Sequence, residues 1–175
     1  MKNIVATLSL LFATTLSAQV AIGKSSISSP AVSLEFYDGA DNARGIILPW
    51  VTSTAAVTGA VNGTLVYNTA DRKVYVKYAS GWRDLSVDNT GTVTTTLQDS
   101  LTDQDTAKVL IGGDPSTDTT PGILVLADTN KAMVLPKVAS PHLKIVNPSP
   151  GMIVYDTTKK QLAVFNGTVW SFWKP

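Results

Sequence analysis

The feature that most constrains this 175-residue chain is that it uses one stretch twice. The first copy runs from Gly63 to Leu85 and the second from Gly151 to Phe172. Gly63 and Gly151, Tyr67 and Tyr155, and Trp82 and Trp170 are separated by one offset (151−63 = 155−67 = 170−82 = 88). A constant spacing over three landmarks marks a duplicated structural unit.

Each copy reads as a three-stranded antiparallel meander. In the second, Met152–Tyr155 is apolar and β-prone, Asp156–Lys160 is turn-prone, Gln161–Phe165 is rich in strand formers, and Thr168–Phe172 alternates with period two. Asn166-Gly167 between the last two runs predicts a tight hairpin whose two central residues take positive φ. In the first copy Lys73–Tyr78 alternates, Ala79–Gly81 turns, and Trp82–Leu85 returns. Val74 and Val76 then share one face, and Lys73, Tyr75 and Lys77 the other.

The likeness extends upstream. Val20–Gly23 matches Val109–Gly112, Val32–Phe36 corresponds to Ile123–Leu126, and Gly45–Pro49 matches Ala132–Pro136 with an offset of 87 (136−49). Proline closes the last of these runs because it cannot donate to a strand ladder. The expected fold is all-β: two homologous small β units, 19–87 and 109–175, each ending in a three-stranded antiparallel meander. A polar, Thr-rich linker at 88–108, extended or loosely structured, joins them. Leu97 and Leu101 within it would support one helical turn at most.

Residues 1–18 read as a secretory signal peptide: Lys2, an apolar run from Ile4 to Ala13, and a small-residue exit with cleavage expected after Ala18. The run is too short for a transmembrane helix, so the mature chain is expected to have no transmembrane span. The expected location is beyond the inner membrane: periplasm, outer-membrane surface or extracellular. The chain has no cysteine, so neither a lipid anchor on that residue nor a disulfide framework is available. Without Lys2 there are 13 basic and 13 acidic side chains (14−1 = 13, against 13). Such a balance lacks the electrostatic footprint of a nucleic-acid binder.

Catalysis needs groups of matched pKa at fixed spacing. His142 is the single histidine and sits in a loop whose counterpart in the first unit has none. No Gly-x-Ser-x-Gly elbow occurs. Asp99, Asp103, Asp105, Asp114 and Asp118 alternate as calcium ligands can, but an EF-hand glycine and closing glutamate are missing, and a solvated acidic segment is the plainer reading. No enzyme, metal site or cofactor is expected.

Trp82 and Trp170 hold equivalent places, which suits plugs of each unit's core, with a sugar-stacking platform as the alternative. Aromatics that the repeat does not share are the candidate contact residues for a ligand or partner: Trp50, Tyr75, Tyr78, Phe172 and Trp173. Lys137 replaces Trp50, and Ala163 replaces Tyr75, in the second unit.

The order Gly/Ala-x-x-Leu-Pro, then Gly-x-x-Val-Tyr-Asn/Asp-Thr, then a strand and Gly-x-x-Trp resembles a known β-repeat. Segments like Gly151–Thr157 followed by Phe165–Trp170 recur in uncharacterised secreted proteins of Gram-negative bacteria and in phage tail-fibre-like proteins. The resemblance implies a β-structured surface or fibre role without a defined site. Its implied partner is the chain itself, as a homotrimer, or another envelope protein. Asp99-Ser-Leu and Asp105-Thr-Ala resemble the acceptor triplet of a periplasmic O-glycosylation system, which makes Ser100 and Thr106 candidate acceptors. The leading expectation is a non-catalytic structural, assembly or adhesion protein. A carbohydrate-binding module, with a glycan as partner, is the alternative, and a hydrolase a distant third.

Overall fold

The chain is described here from a computed structural model that covers residues 19–102, 104 and 106–174. The expected signal peptide, and Asp103 and Asp105 of the linker, lie outside the described residues.

Both meanders form where the strand-prone and alternating runs place them. In the first unit β5 (Leu65–Asn68), β6 (Lys73–Tyr78) and β7 (Gly81–Asp84) pair antiparallel in order. In the second, β12 (Met152–Asp156), β13 (Gln161–Phe165) and β14 (Trp170–Trp173) do the same. The loops after β5 and β12 close on the same device. Arg72 and Lys160 (160−72 = 88) both take left-handed φ, 62° and 54°.

The hairpin at Asn166-Gly167 differs from its expected form. Phe165 pairs with Trp170, so the loop has four residues, Asn166 to Val169, and Gly167 but not Asn166 has positive φ. The asparagine shapes the loop with its side chain instead. Its Oδ1 accepts from the Thr168 and Val169 N–H groups at 2.9 and 2.8 Å, an Asx-type closure.

The Leu-Pro segments are corners rather than strand ends. β3 (Ile46–Ile47) and β10 (Ala132–Val134) lead into them, and β4 (Trp50–Val51) and β11 (Lys137–Val138) resume on the far side. β4 runs parallel to β5 and β11 parallel to β12. The Pro49 and Pro136 carbonyls accept from the Tyr67 and Tyr155 N–H groups, each at 2.9 Å. Proline costs the ladder nothing here because only its acceptor is used.

Short parallel pairs complete a solenoid-like succession. β1 (Val20–Ile22) pairs with β2 (Val32–Phe36), and β8 (Val109–Ile111) with β9 (Leu124–Leu126). The two repeats interlock at two points. β10 of the second unit adds to β2 of the first, giving the order β1-β2-β10, while β3 of the first unit pairs antiparallel with β12 of the second. A 3-10 turn (Thr54–Ala56) and the one-turn helix α1 (Pro141–Lys144) are the other regular elements among the described residues.

One hydrophobic core joins the meanders: Leu48, Tyr67, Val74 and Leu85 of the first unit pack with Ile153 and Val164 of the second. Alternation puts the opposite face of the second meander into a separate cluster of Met152, Val154, Ala163 and Phe165, covered by Val138 and Ile145. The linker is engaged over its first half. Just before it the Val87 N–H donates to Ser171 Oγ at 2.7 Å, and within it Asn166 Nδ2 donates to Asp88 Oδ1 at 3.0 Å and Thr168 Oγ1 to the Thr90 carbonyl at 2.9 Å.

Candidate assembly surface

The aromatic candidates take up different tasks. Trp50 lies half-buried at the margin of the shared core, 6.1 Å from Tyr67 between ring centroids, and its Nε1 donates to the Pro150 carbonyl at 3.0 Å. Trp173 is half-buried on the same core, with Nε1 donating to the Leu85 carbonyl at 2.6 Å and the Arg83 guanidinium 5.2 Å from its ring centroid. Each of these two rings therefore ties one unit to the other. Tyr75 sits half-buried on the opposite face of the first meander, its hydroxyl donating to Asp71 Oδ2 at 2.7 Å. Burial, then that bond, raises its pKa. Tyr78 is exposed at the end of β6. Phe172 is exposed on the outer face of the second meander, where His142 meets it edge-on at 5.7 Å.

Trp82 and Trp170 are half-buried and lie on the faces turned away from the shared core, Trp170 packing at the margin of the second unit's own outer cluster. The reason is register. Trp82 stands opposite Lys77 and Trp170 opposite Phe165, both on the outer faces. Trp170 packs on Phe165 at 5.2 Å. The residue that does fill the shared core is Tyr67, 0 % exposed, whose hydroxyl donates to the Asn166 carbonyl at 2.7 Å. Burial pushes its pKa up to about 12. Its invariant place in the duplication was the available signal.

Ser100 and Thr106 are both exposed. Asp114 closes a local turn through Ser116, and Asp118 pairs with Lys108. Among the described residues no three His, Asp or Glu side chains converge in a way that would hold a metal ion. His142 makes no ion pair among them either.

The second unit also exposes apolar side chains. Ser140 takes left-handed φ, Pro141 starts α1, and the Ser140 N–H donates to Asp156 Oδ1 at 3.1 Å. This anchoring turns Ile145 inward onto the outer cluster and leaves Leu143 and Val146 75 % and 81 % exposed beside His142. Ile123 and Leu124, at the start of β9, are exposed as well. Sequence reasoning took the α1 segment for a variable loop, although Pro141 in a helix-start position was legible.

The same portion of the chain has a counterpart among known proteins. Residues 114–174 match the family model described as a phage tail like trimerisation region. That is a structural family of tail-fibre type and not a family of enzymes, so the tail-fibre-like resemblance holds for this part of the chain. Neither a curated protein nor a solved structure matches. No helix among the described residues is long and apolar enough to cross a membrane.

Proposed function

We propose that this chain is a non-catalytic, fibre-like structural protein that assembles as a homotrimer through its second repeat, beyond the inner membrane. The observation that carries the reading is the coincidence of the trimerisation-region match at 114–174 with the exposed apolar residues Ile123, Leu124, Leu143, Val146 and Phe172 in the same stretch. Size supports it too. Each repeat has about 65 residues and no disulfide, a scale at which association commonly completes a core. Adhesion is the use such a trimer would serve at a cell surface, and Ser100 and Thr106 are exposed as glycan acceptors must be. The motif at Lys2 and Ile4–Ala13 supports export with cleavage at Ala18, which intact mass of the exported protein tests.

Light scattering of residues 19–175 over a concentration series tests assembly. Three chain masses per particle is the expected result. One chain mass at every concentration overturns the reading.

A further inference from the structure

The repeated pattern assigns a place to a strand edge left unpaired among the described residues. In the first unit β2 is central: β1 lies on one side and β10 on the other, with Met133 opposite Leu34 and Val134 opposite Glu35. In the second unit β9 corresponds to β2, because Leu124 stands opposite Val109 as Leu34 stands opposite Val20. β8 takes the place of β1, but among the described residues no strand lies on the far edge of β9. The chain holds one other segment of the β10 type, namely β3, with Ile46 equivalent to Met133 and Ile47 to Val134 (133−46 = 134−47 = 87). Among the described residues β3 is held by β12 on one side only.

We infer that β3 of one copy docks in parallel on the free edge of β9 of a second copy. Transferring the first unit's register puts Ile46 opposite Leu124 and Ile47 opposite Val125. The hydrogen-bond phases of the two edges agree with this independently. The Val109 N–H donates to the Ile123 carbonyl and the Ala127 N–H to the Ile111 carbonyl, so by alternation Leu124 and Leu126 turn their peptide groups to the open side. The Leu48 N–H donates to the Gly151 carbonyl, so Ile46 also faces β12 and Ile47 presents its N–H and C=O outward. In a parallel ladder a residue opposite Val125 bonds to the residues on either side of it, here Leu124 and Leu126. A slip of one residue would set bonded groups against groups already in use.

The side chains agree as well. Ile47 is 51 % exposed and Leu124 46 % exposed, large apolar groups that pairing would cover. Unpaired edges of this kind are templates for a further strand. The contact joins two different surfaces, so it is heterologous and closes only as a ring. The inference rests on the trimeric reading and names the strand contact within it.

The chain has no cysteine, so an Ile46→Cys, Leu124→Cys double variant reports the contact cleanly. Directly opposite residues on paired strands stand about 5 Å apart, within disulfide reach. Mild oxidation is expected to yield covalently linked trimers that reducing agent dissolves. A disulfide within one chain overturns the inference. So does a trimer by light scattering that forms no covalent multimers, which leaves the trimeric reading standing. A monomer overturns both. If the variant fails to fold, amide exchange of the unaltered protein decides. Leu124 and Leu126 are expected to be protected like Val125. Free exchange at Leu124 and Leu126 beside a protected Val125 overturns the docking.

Discussion

The two meanders share a sequence plan, yet they stand in different surroundings. The first gives one face to the shared core, through Tyr67, Val74 and Leu85. Its other face is largely polar, with Lys73 paired to Asp84 at 2.6 Å and Tyr75 bonded to Asp71. The second meander is buried on both faces over β12 and β13, against the first unit on one side and against Val138 and Ile145 on the other. Even the equivalent polar position differs. Asn68 bonds one local N–H, that of Ala70, while Asp156 accepts from Ser140, Thr158 and Lys159. The two stretches therefore share strands and strand order, and the surroundings of each decide what its side chains do.

The largest expected contrast is at the repeated tyrosine. Tyr67→Ala empties a fully buried site and removes the bond to the Asn166 carbonyl, so it should cost about 3–5 kcal/mol. Tyr155 is half-buried, and Tyr155→Ala should cost about half as much. Urea unfolding of both variants measures the difference, and equal losses would break the comparison.

The repeated glycine comes next. Gly63 and Gly151 have φ of +91° and +80°, so alanine is strained at both by about 1–2 kcal/mol. A Cβ at Gly63 meets open space, but one at Gly151 would lie 2.7 Å from Tyr67 Cβ, against the partner unit. Gly151→Ala should therefore lower the thermal midpoint clearly more than Gly63→Ala does.

The repeated tryptophans should differ by less. Trp170 packs on Phe165 and the covered outer cluster, whereas Trp82 lies on the polar outer face. Both are half-buried, so Trp170→Ala should cost about 2–3 kcal/mol and Trp82→Ala about 1–2. Denaturant midpoints read this directly.

The smallest contrast is one of pH. Burial pushes the Asp156 carboxyl up, but the N–H groups of Ser140, Lys159 and Thr158, with Gln161, outweigh it and hold the group below its ordinary 3.8. A depressed carboxyl pKa contributes stability above the unfolded value, and that contribution is lost as pH falls through the folded value. Asp156→Asn, which copies Asn68, should be less stable than the parent at neutral pH. The gap should narrow from about pH 5 downward, which unfolding at a series of pH values would show. The other carboxylates are common to both proteins and cancel.

The meanders were legible because period-two alternation at Val74 and Val76, and at Trp170 and Phe172, survives any change of surroundings. The parallel strands β4 and β11 were not, since two residues after a proline carry no period. The interlocking of the repeats was hidden for a sharper reason. β3 and β10 have one pattern and different partners, and part of the difference is a single Cβ. At Gly45 a Cβ would lie 2.6 Å from Val154 Cγ1, so only glycine lets β3 approach β12, while Ala132 occupies the matching place in β10. Of the candidate contact residues, the pattern located the aromatics but could not tell rings that bridge the units, Trp50 and Trp173, from the exposed Phe172.

The claim beneath this comparison is that the two repeats are one body with a common core. Amide signals of Val74 and Val164, one buried in each meander, followed together through urea unfolding test it most directly. The account predicts coincident transitions with one midpoint. Two separate midpoints, with one meander intact after the other has melted, would contradict it.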